Sequence, residues 1–348
     1  MVRRAVTQPN SFDIADFEVW MARRIVPSGN IQALDAKRIR LVDEMTPVLT
    51  KGEIGGRKIG DQGMAPWKIL YMSAREAKTF VTGQSDWLTI MPTVYNADTL
   101  GIRPDRISRP IESWAELLNP EFRGRASILN VPAIGIMDAA MAVEASGRHK
   151  YADKGNMTRG EIDLTMAALT EAKRAGQFRA FWQDFNESVN LMASGEVVIQ
   201  SMWSPAVTRV RSMSVPCVYQ PLKEGYRAWA QGMGMPRTTT GRRLDAAYDF
   251  INWFLSGWAG AFLNRQGYYA AVLSTAQKHM EPYEWAYWME GKPAERDIRA
   301  PDGTVMEKAG AVRDGGSFEQ RMGSVACWNA VMDENDYMVR KWNEFIAA

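Results

Sequence analysis

The stretch SGEVVIQSMWSPAV, residues 194–207, decides how the chain is read. Gly195 and Glu196 open an apolar run, Val197 to Ile199, which ends at Met202-Trp203 before Ser204-Pro205 stops it. A short apolar run bounded by turn residues is the pattern of a strand buried on both faces. Such a strand normally ends in polar residues, yet this one delivers a tryptophan to its tip. Upstream, residues 178–193 form an amphipathic piece carrying Phe181, Phe185, Val189 and Met192. Before that, Thr158-x-x-Glu161 is a capping box opening a helix with Ile162, Met166 and Leu169 on one face, closed by Gly176.

Further out the same grammar repeats. Ser113-x-x-Glu116 reads as a second capping box, Asn119-Pro120 stops its helix, and Ala126 to Leu129 start a strand. The loop and helix NVPAIGIMDAAMAVEASG follow, ending at Gly147. Near the N-terminus, MVRRAVTQ reads as a strand ending at Pro9-Asn10. Phe12 to Ala15 reads as a second, with Asp16 capping a helix that closes at Val26–Gly29. A β-rich run from Trp87 to Tyr95 closes on Asn96-Ala97-Asp98. PCVYQPLKEGYRAWAQGMGMP is mostly extended, LDAAYDFINWFL and GWAGAFLNRQ are helical, and NDYMVRKWNEFIAA is a terminal helix. Strands alternating with helices argue for an α/β fold with largely parallel sheets.

Composition excludes several classes. The 348 residues suit two domains, and 46% hydrophobic with 24% charged residues is ordinary for a globular chain. A net charge of +2 leaves no electrostatic footprint for nucleic acid. The unusual feature is 13 Trp and 11 Tyr. Two distant cysteines, Cys217 and Cys327, are either bridged or free, and with only His149 and His279 there is no Cys/His cluster for a metal. No apolar stretch approaches the ~20 residues of a membrane span. MVRRAVTQPNSF has an Arg pair but no apolar segment after it, so it does not read as a signal peptide. For an enzyme, the acid pairs Asp314/Glu319 and Asp184/Glu187 are the available candidates. The first lies in a Gly-rich loop and the second on a helix face, and no GxSxG, Walker A or GxGxxG motif occurs. No catalytic residue, cofactor or metal is therefore expected.

Taken in order, SWAELLNPEFRGRASIL, SGEVVIQSMWSPA, PLKEGYRAWAQGMGMP, LDAAYDFINWFLS and QGYYAAV resemble the extracellular solute-binding proteins that serve ABC importers, in the spermidine/putrescine-binding branch. The resemblance runs from about residue 10 to 348. It implies a type II-like periplasmic-binding-protein fold of two α/β lobes, each a mainly parallel sheet flanked by helices. Residues 1–107 with 230–275 would form the first lobe and 108–229 with 276–348 the second. Family members begin with a signal peptide, a first strand and a first helix ahead of the segment that MVRRAVTQ resembles. The expectation is thus a shortened N-terminus and a periplasmic full-length product. The implied partners are a small-molecule ligand, an ABC permease and its ATPase, with the binding protein a monomer; the alternatives are a sensor passing closure to a receptor and, less favoured, an enzyme on the same fold.

The resemblance also implies site residues. Trp203 would line the cleft at the strand tip, Trp229 would be a second cleft tryptophan, and Tyr268 a cleft tyrosine, with Tyr269 competing for that place. Phe17 falls where the family places the first lobe's wall, and Glu319 matches a polar contact. The family's key Asp, two residues after the second Trp, is replaced by Gln231. The loop Asn130–Ile134 carries no acid where the family has a cluster. A buried polyamine needs counter-charges, so a smaller amine, amino acid or betaine-like ligand is expected instead. Arg209, Arg227 and Arg265 are candidates to receive a carboxylate.

Overall fold

The computed structural model describes residues 1–348. In chain order the elements that build the site are β1 (Ala15–Glu18), β2 (Met91–Ile102), β3 (Ala126–Leu129), α1 (Pro132–Ala145), α2 (Arg159–Arg174), β4 (Phe178–Trp182), α3 (Phe185–Ser194), β5 (Ile199–Met202), α4 (Ser204–Ser212), β6 (Tyr226–Pro236), α5 (Gly241–Leu255), α6 (Trp258–Asn264), β7 (Val325–Trp328) and α7 (Asn335–Ala347). No helix is long and apolar enough to cross a membrane.

One eleven-stranded sheet runs β4-β3-β5-β2-β6-β7 and ends on Gln62–Gly63, with β1 pairing on β6. The flanking pairs β3/β4, β3/β5 and β6/β7 are parallel. The long strand β2 runs antiparallel to both β5 and β6. It is buried along its whole length. Its first part pairs with β6 (Asp98 opposite Arg227) and its end with β5 (Thr99 opposite Met202), so it joins the two halves of the sheet. The α/β class is as expected.

Helix α2 has the expected Thr158/Glu161 capping box. Residues 178–193 divide into β4 and α3, because Asp184 caps α3 by accepting from the backbone N–H groups of Asn186 and Glu187. Ser113 caps a short 3-10 helix, Trp114–Leu118, but Glu116 turns away to pair with Arg109. MVRRAVTQ is not a strand: Val2–Thr7 is helical with only Ala5 buried, so it lacks the alternating face a strand would bury. The next strand lies at Ala15–Glu18 rather than Phe12–Ala15, which makes Asp16 a strand residue and not a cap. Residues 96–98 are not a turn but the middle of β2. Both cysteines are free and buried.

One core packs α1, α2 and α7 around Trp114, Met137, Leu169 and Trp342. Trp342 is fully buried and its indole N–H donates to Asn130 Oδ1 at 2.8 Å. Its ring abuts Gly135 in the first turns of α1. A Cβ on Gly135 would come within 2.3 Å of both the Leu129 carbonyl oxygen and the Trp342 ring. Backbone cannot yield as a flexible side chain can. Gly135→Ala is expected to destabilise by about 1–3 kcal/mol despite its better helix propensity. Thermal unfolding checks this, and an unchanged melting temperature would show that α1 and α7 are not packed so closely.

Candidate functional site

A cavity of about 330 Å³ walled by aromatic and aliphatic side chains lies at the junction of the two halves of the sheet. That is at the small end of the range of ligand cavities, roughly 300–1,000 Å³. Glu18, Val94, Asp98, Ile134, Trp203, Pro205, Arg227, Trp229, Gln231, Leu263, Tyr268 and Asn329 line it.

Strand period explains much of this set. Arg227, Trp229 and Gln231 are alternate residues of β6 and so share one face. Val94 and Asp98 share the matching face of β2, where Asp98 stands opposite Arg227 and Val94 opposite Gln231. Between them, Asn96 is fully buried and its Nδ2 donates to the Gly267 carbonyl at 3.2 Å, tying down the loop that presents Tyr268. Glu18 is the last residue of β1 and stands opposite Gln231.

The aromatic walls are braced. Trp203 follows β5 directly and is the N-cap residue of α4. Its ring meets that of the buried Trp182 edge-to-face, with centroids 4.8 Å apart, and the Trp182 indole donates to the Ser201 carbonyl at 3.1 Å. Trp229 and Tyr268 form a second edge-to-face pair at 5.8 Å. Burial pushes the Tyr268 hydroxyl up to about 12, so it stays protonated. The strand tip carries a tryptophan because the tip is a wall of the cavity.

The polar groups are of two kinds. Glu18 accepts from the Trp20 indole at 2.8 Å and from Gln231 Nε2 at 3.2 Å, and burial raises its carboxyl above the usual range. Arg227 is only 2% exposed. It donates through Nε to Asp138 at 2.6 Å and through Nη1 to Asn329 at 2.6 Å, while Nη2 lies 3.6 Å from Asp98. Burial works against this guanidinium's charge, but Asp138 and Asp98 outweigh it and hold its pKa above the ordinary value. Burial raises both acids, Asp98 to about 6. Asp98 also accepts from the Tyr219 hydroxyl at 2.9 Å. Arg227 is the only cation on the wall, and it is already committed to acids.

The structure brings Trp203, Trp229, Gln231 and Tyr268 together and leaves Phe17 and Glu319 outside. Phe17 is 2% exposed and packs on Phe12 at 6.1 Å, on the opposite face of β1 from Glu18. Glu319 is exposed at the start of a short helix and borders a shallow surface hollow with Arg57 and Lys58. Tyr269 is buried in the core against Phe318. Arg265 is held by Glu284, and exposed Arg209 bonds Ser212, so neither reaches the cavity. The wall also has acids that the sequence reading missed, Glu18 and Asp98. The alternation of Ala15-Asp16-Phe17-Glu18 carried the signal for the first, but a strand placed three residues early concealed it.

A family model described as bacterial extracellular solute-binding protein matches residues 2–286. Comparison with curated protein sequences gives no match. Among solved structures, the spermidine/putrescine ABC transporter substrate-binding protein PotD from Streptococcus pneumoniae is similar at 13% identity and TM-score 0.60, covering 99% of this chain and 84% of that one. The Atu4243-GABA receptor is similar at 19% identity and TM-score 0.60, with the same coverages of 99% and 84%. The binding protein MotA from A. tumefaciens B6, in complex with glucopine, is similar at 14% identity and TM-score 0.58, covering 99% and 88%. At these identities the likeness is one of fold. The family match spans most of the sequence, and the chain belongs to the bacterial extracellular solute-binding proteins.

Proposed function

We propose that this protein is the solute-binding component of an ABC importer, and that it captures a small mono-cationic amine in the cavity between two lobes. In this reading the lobes are residues 1–107 with 230–275 and residues 108–229 with 276–348. β2 and β6 cross between them, and closure presents the loaded protein to a membrane permease and its ATPase on the extracytoplasmic side. The neighbours named for spermidine/putrescine, for GABA and for glucopine support an amine-bearing ligand class.

The observation that carries the ligand class is the charge of the wall. Glu18 is the one carboxylate there not matched to a guanidinium, and three aromatic rings surround the remaining space. An ammonium group placed between Glu18 and the faces of Trp229, Tyr268 and Trp203 gains a counter-ion and cation–π contacts of ~0.5–2 kcal/mol. A second ammonium would find no second free acid, which disfavours polyamines. A ligand carboxylate would meet Arg227 only by displacing Asp138 or Asp98.

Thermal unfolding at pH 7.5 against monoamines, diamines, amino acids, betaines and carboxylates tests this. A monoamine at ~100 times its Kd is expected to add ~2.7 kcal/mol of stability. No shift with any amine would remove the reading. Glu18→Gln is expected to weaken amine binding at least tenfold while the protein still melts cooperatively. Binding should also decline as pH falls toward 6 and below. Glu18 must be ionised to hold a cation and burial raises its pKa, while Asp98, pushed up to about 6, is half protonated there and no longer fully offsets the Arg227 charge that repels an ammonium. Affinity that is flat from pH 8 to 5 would show that Glu18 does not hold the ligand's cation.

Gln231 supplies a second test. Its amide stands 3.2 Å from Glu18, so Gln231→Asp places two acids side by side. The variant is expected to gain affinity for diamines relative to monoamines, measured by calorimetry. An unchanged ratio would mean that residue 231 does not contact the ligand.

A further inference from the structure

Two arginines are buried without an acid of their own. Arg313 is 5% exposed and Arg321 1%. The acids of the same region, Glu307 and Asp314, are both paired with Arg211. Arg313 donates to the Trp288 carbonyl, and Arg321 to the carbonyls of Asp314 at 3.0 Å and Ala97 at 3.4 Å. These backbone oxygens satisfy hydrogen bonds but not charge. A buried guanidinium keeps its proton and needs a negative neighbour.

Both guanidiniums face Tyr269. The central carbon of the Arg313 guanidinium stands 5.0 Å from the Tyr269 ring centre, and both arginines hydrogen-bond toward its oxygen. Tyr269 is fully buried on the short strand Tyr269–Ala270, which pairs with β2 opposite Tyr95 and Val94. The Tyr269 hydroxyl finds no acceptor for its own proton. Phe318 packs on its ring at 4.8 Å and Tyr95 at 5.7 Å, and the hydroxyls of Tyr95 and of Tyr226 on β6 do not reach it. Asp98 acts on Arg321 from farther off and is engaged by Arg227 and Tyr219.

We infer that Tyr269 is ionised in the folded protein at neutral pH, and that its phenolate is the shared counter-ion of Arg313 and Arg321. Loss of the proton removes a donor that has nowhere to donate and supplies the negative charge that the two arginines lack. Burial pushes the hydroxyls of Tyr95, Tyr219 and Tyr226 up. It acts on Tyr269 as well, but there Arg313 and Arg321 outweigh it and bring the hydroxyl below the ordinary tyrosine value. The phenolate fastens the strand to the segment that carries both arginines. The preceding residue, Tyr268, points to the opposite side of the strand and lines the cavity. One wall of the ligand site is thus anchored by a buried ion pair.

Tyrosine labelled with carbon-13 at Cζ tests this, because that carbon shifts downfield when the ring oxygen loses its proton. Of the 11 tyrosines, one is expected at the phenolate position in the wild type at pH 7.5. The signal should be missing from Tyr269→Phe and should return to the neutral position in Arg321→Gln. Eleven neutral tyrosines at pH 7.5 overturn the inference, and a chloride-dependent melting temperature in that case would place the counter-ion outside the chain. A phenolate signal that survives Tyr269→Phe overturns it equally. Stability gives a second readout. Tyrosine in the unfolded chain ionises near about 10, so between the lowered folded value and that point the phenolate's contribution grows with pH, and it is lost as pH falls through the folded value. The folding constant of the wild type relative to Tyr269→Phe is expected to rise about tenfold per pH unit from pH 7.5 to 9.5. A ratio that is flat over that range contradicts the inference.

Discussion

A guanidinium that is 2% exposed has to be neutralised where it sits, and for Arg227 that requirement draws four segments together. Arg227 comes from β6, Asp98 from β2, Asp138 from α1, and Asn329 from the residue after β7. Removing one acid would leave an uncompensated buried charge, whereas the assembled group holds both long strands in register at the cavity floor. The same group sets the chemistry above it. With Arg227 committed, the wall offers a ligand one carboxylate and several aromatic faces. The structural ion cluster and the ligand preference are therefore two consequences of one arrangement.

The aromatic part of the site was legible in the sequence because it rests on local features. A strand that ends in Met202-Trp203 before Ser204-Pro205 has to deliver the ring somewhere, and Trp229 and Tyr268 stand in similarly recognisable stretches. Gln231 was legible for the same reason, as the alternate neighbour of Trp229 on β6. The acids were not, because their placement depends on register. Phe17 and Glu18 exchange faces on a one-residue slip, and only pairing with Gln231 fixes which points to the cavity. Asp98 was concealed by composition. Asn96-Ala97-Asp98 has the residues of a turn, yet β2 runs straight through them, since the Tyr219 hydroxyl donates to Asp98, Arg227 supplies its counter-charge at 3.6 Å, and Gly267 accepts from Asn96.

The alternation of strands and helices from residue 126 to 264 was likewise readable, from caps and stops that act within a few residues. The N-terminal segment was not. Its apolar residues are few, only Ala5 is buried in the first helix, and so the period of the sequence said little about which element would form. Glu319 shows the limit of matching a loop by composition. Its Gly-rich surroundings fit many turns, and the residue that fixes that loop is Asp314, which is paired with Arg211 and accepts from the Tyr219 backbone N–H.

The direct test of the central claim is calorimetry of a matched pair, an alkylamine and the ω-amino acid of the same length, on the wild type and on Asp138→Asn. Asparagine at 138 can still accept from Arg227 Nε but removes one of its two negative neighbours. The account predicts that the wild type prefers the amine, and that the substitution shifts the ratio toward the amino acid at least tenfold by freeing the guanidinium for a ligand carboxylate. A wild type that binds the amino acid as tightly as the amine, or a ratio indifferent to Asp138, would contradict it.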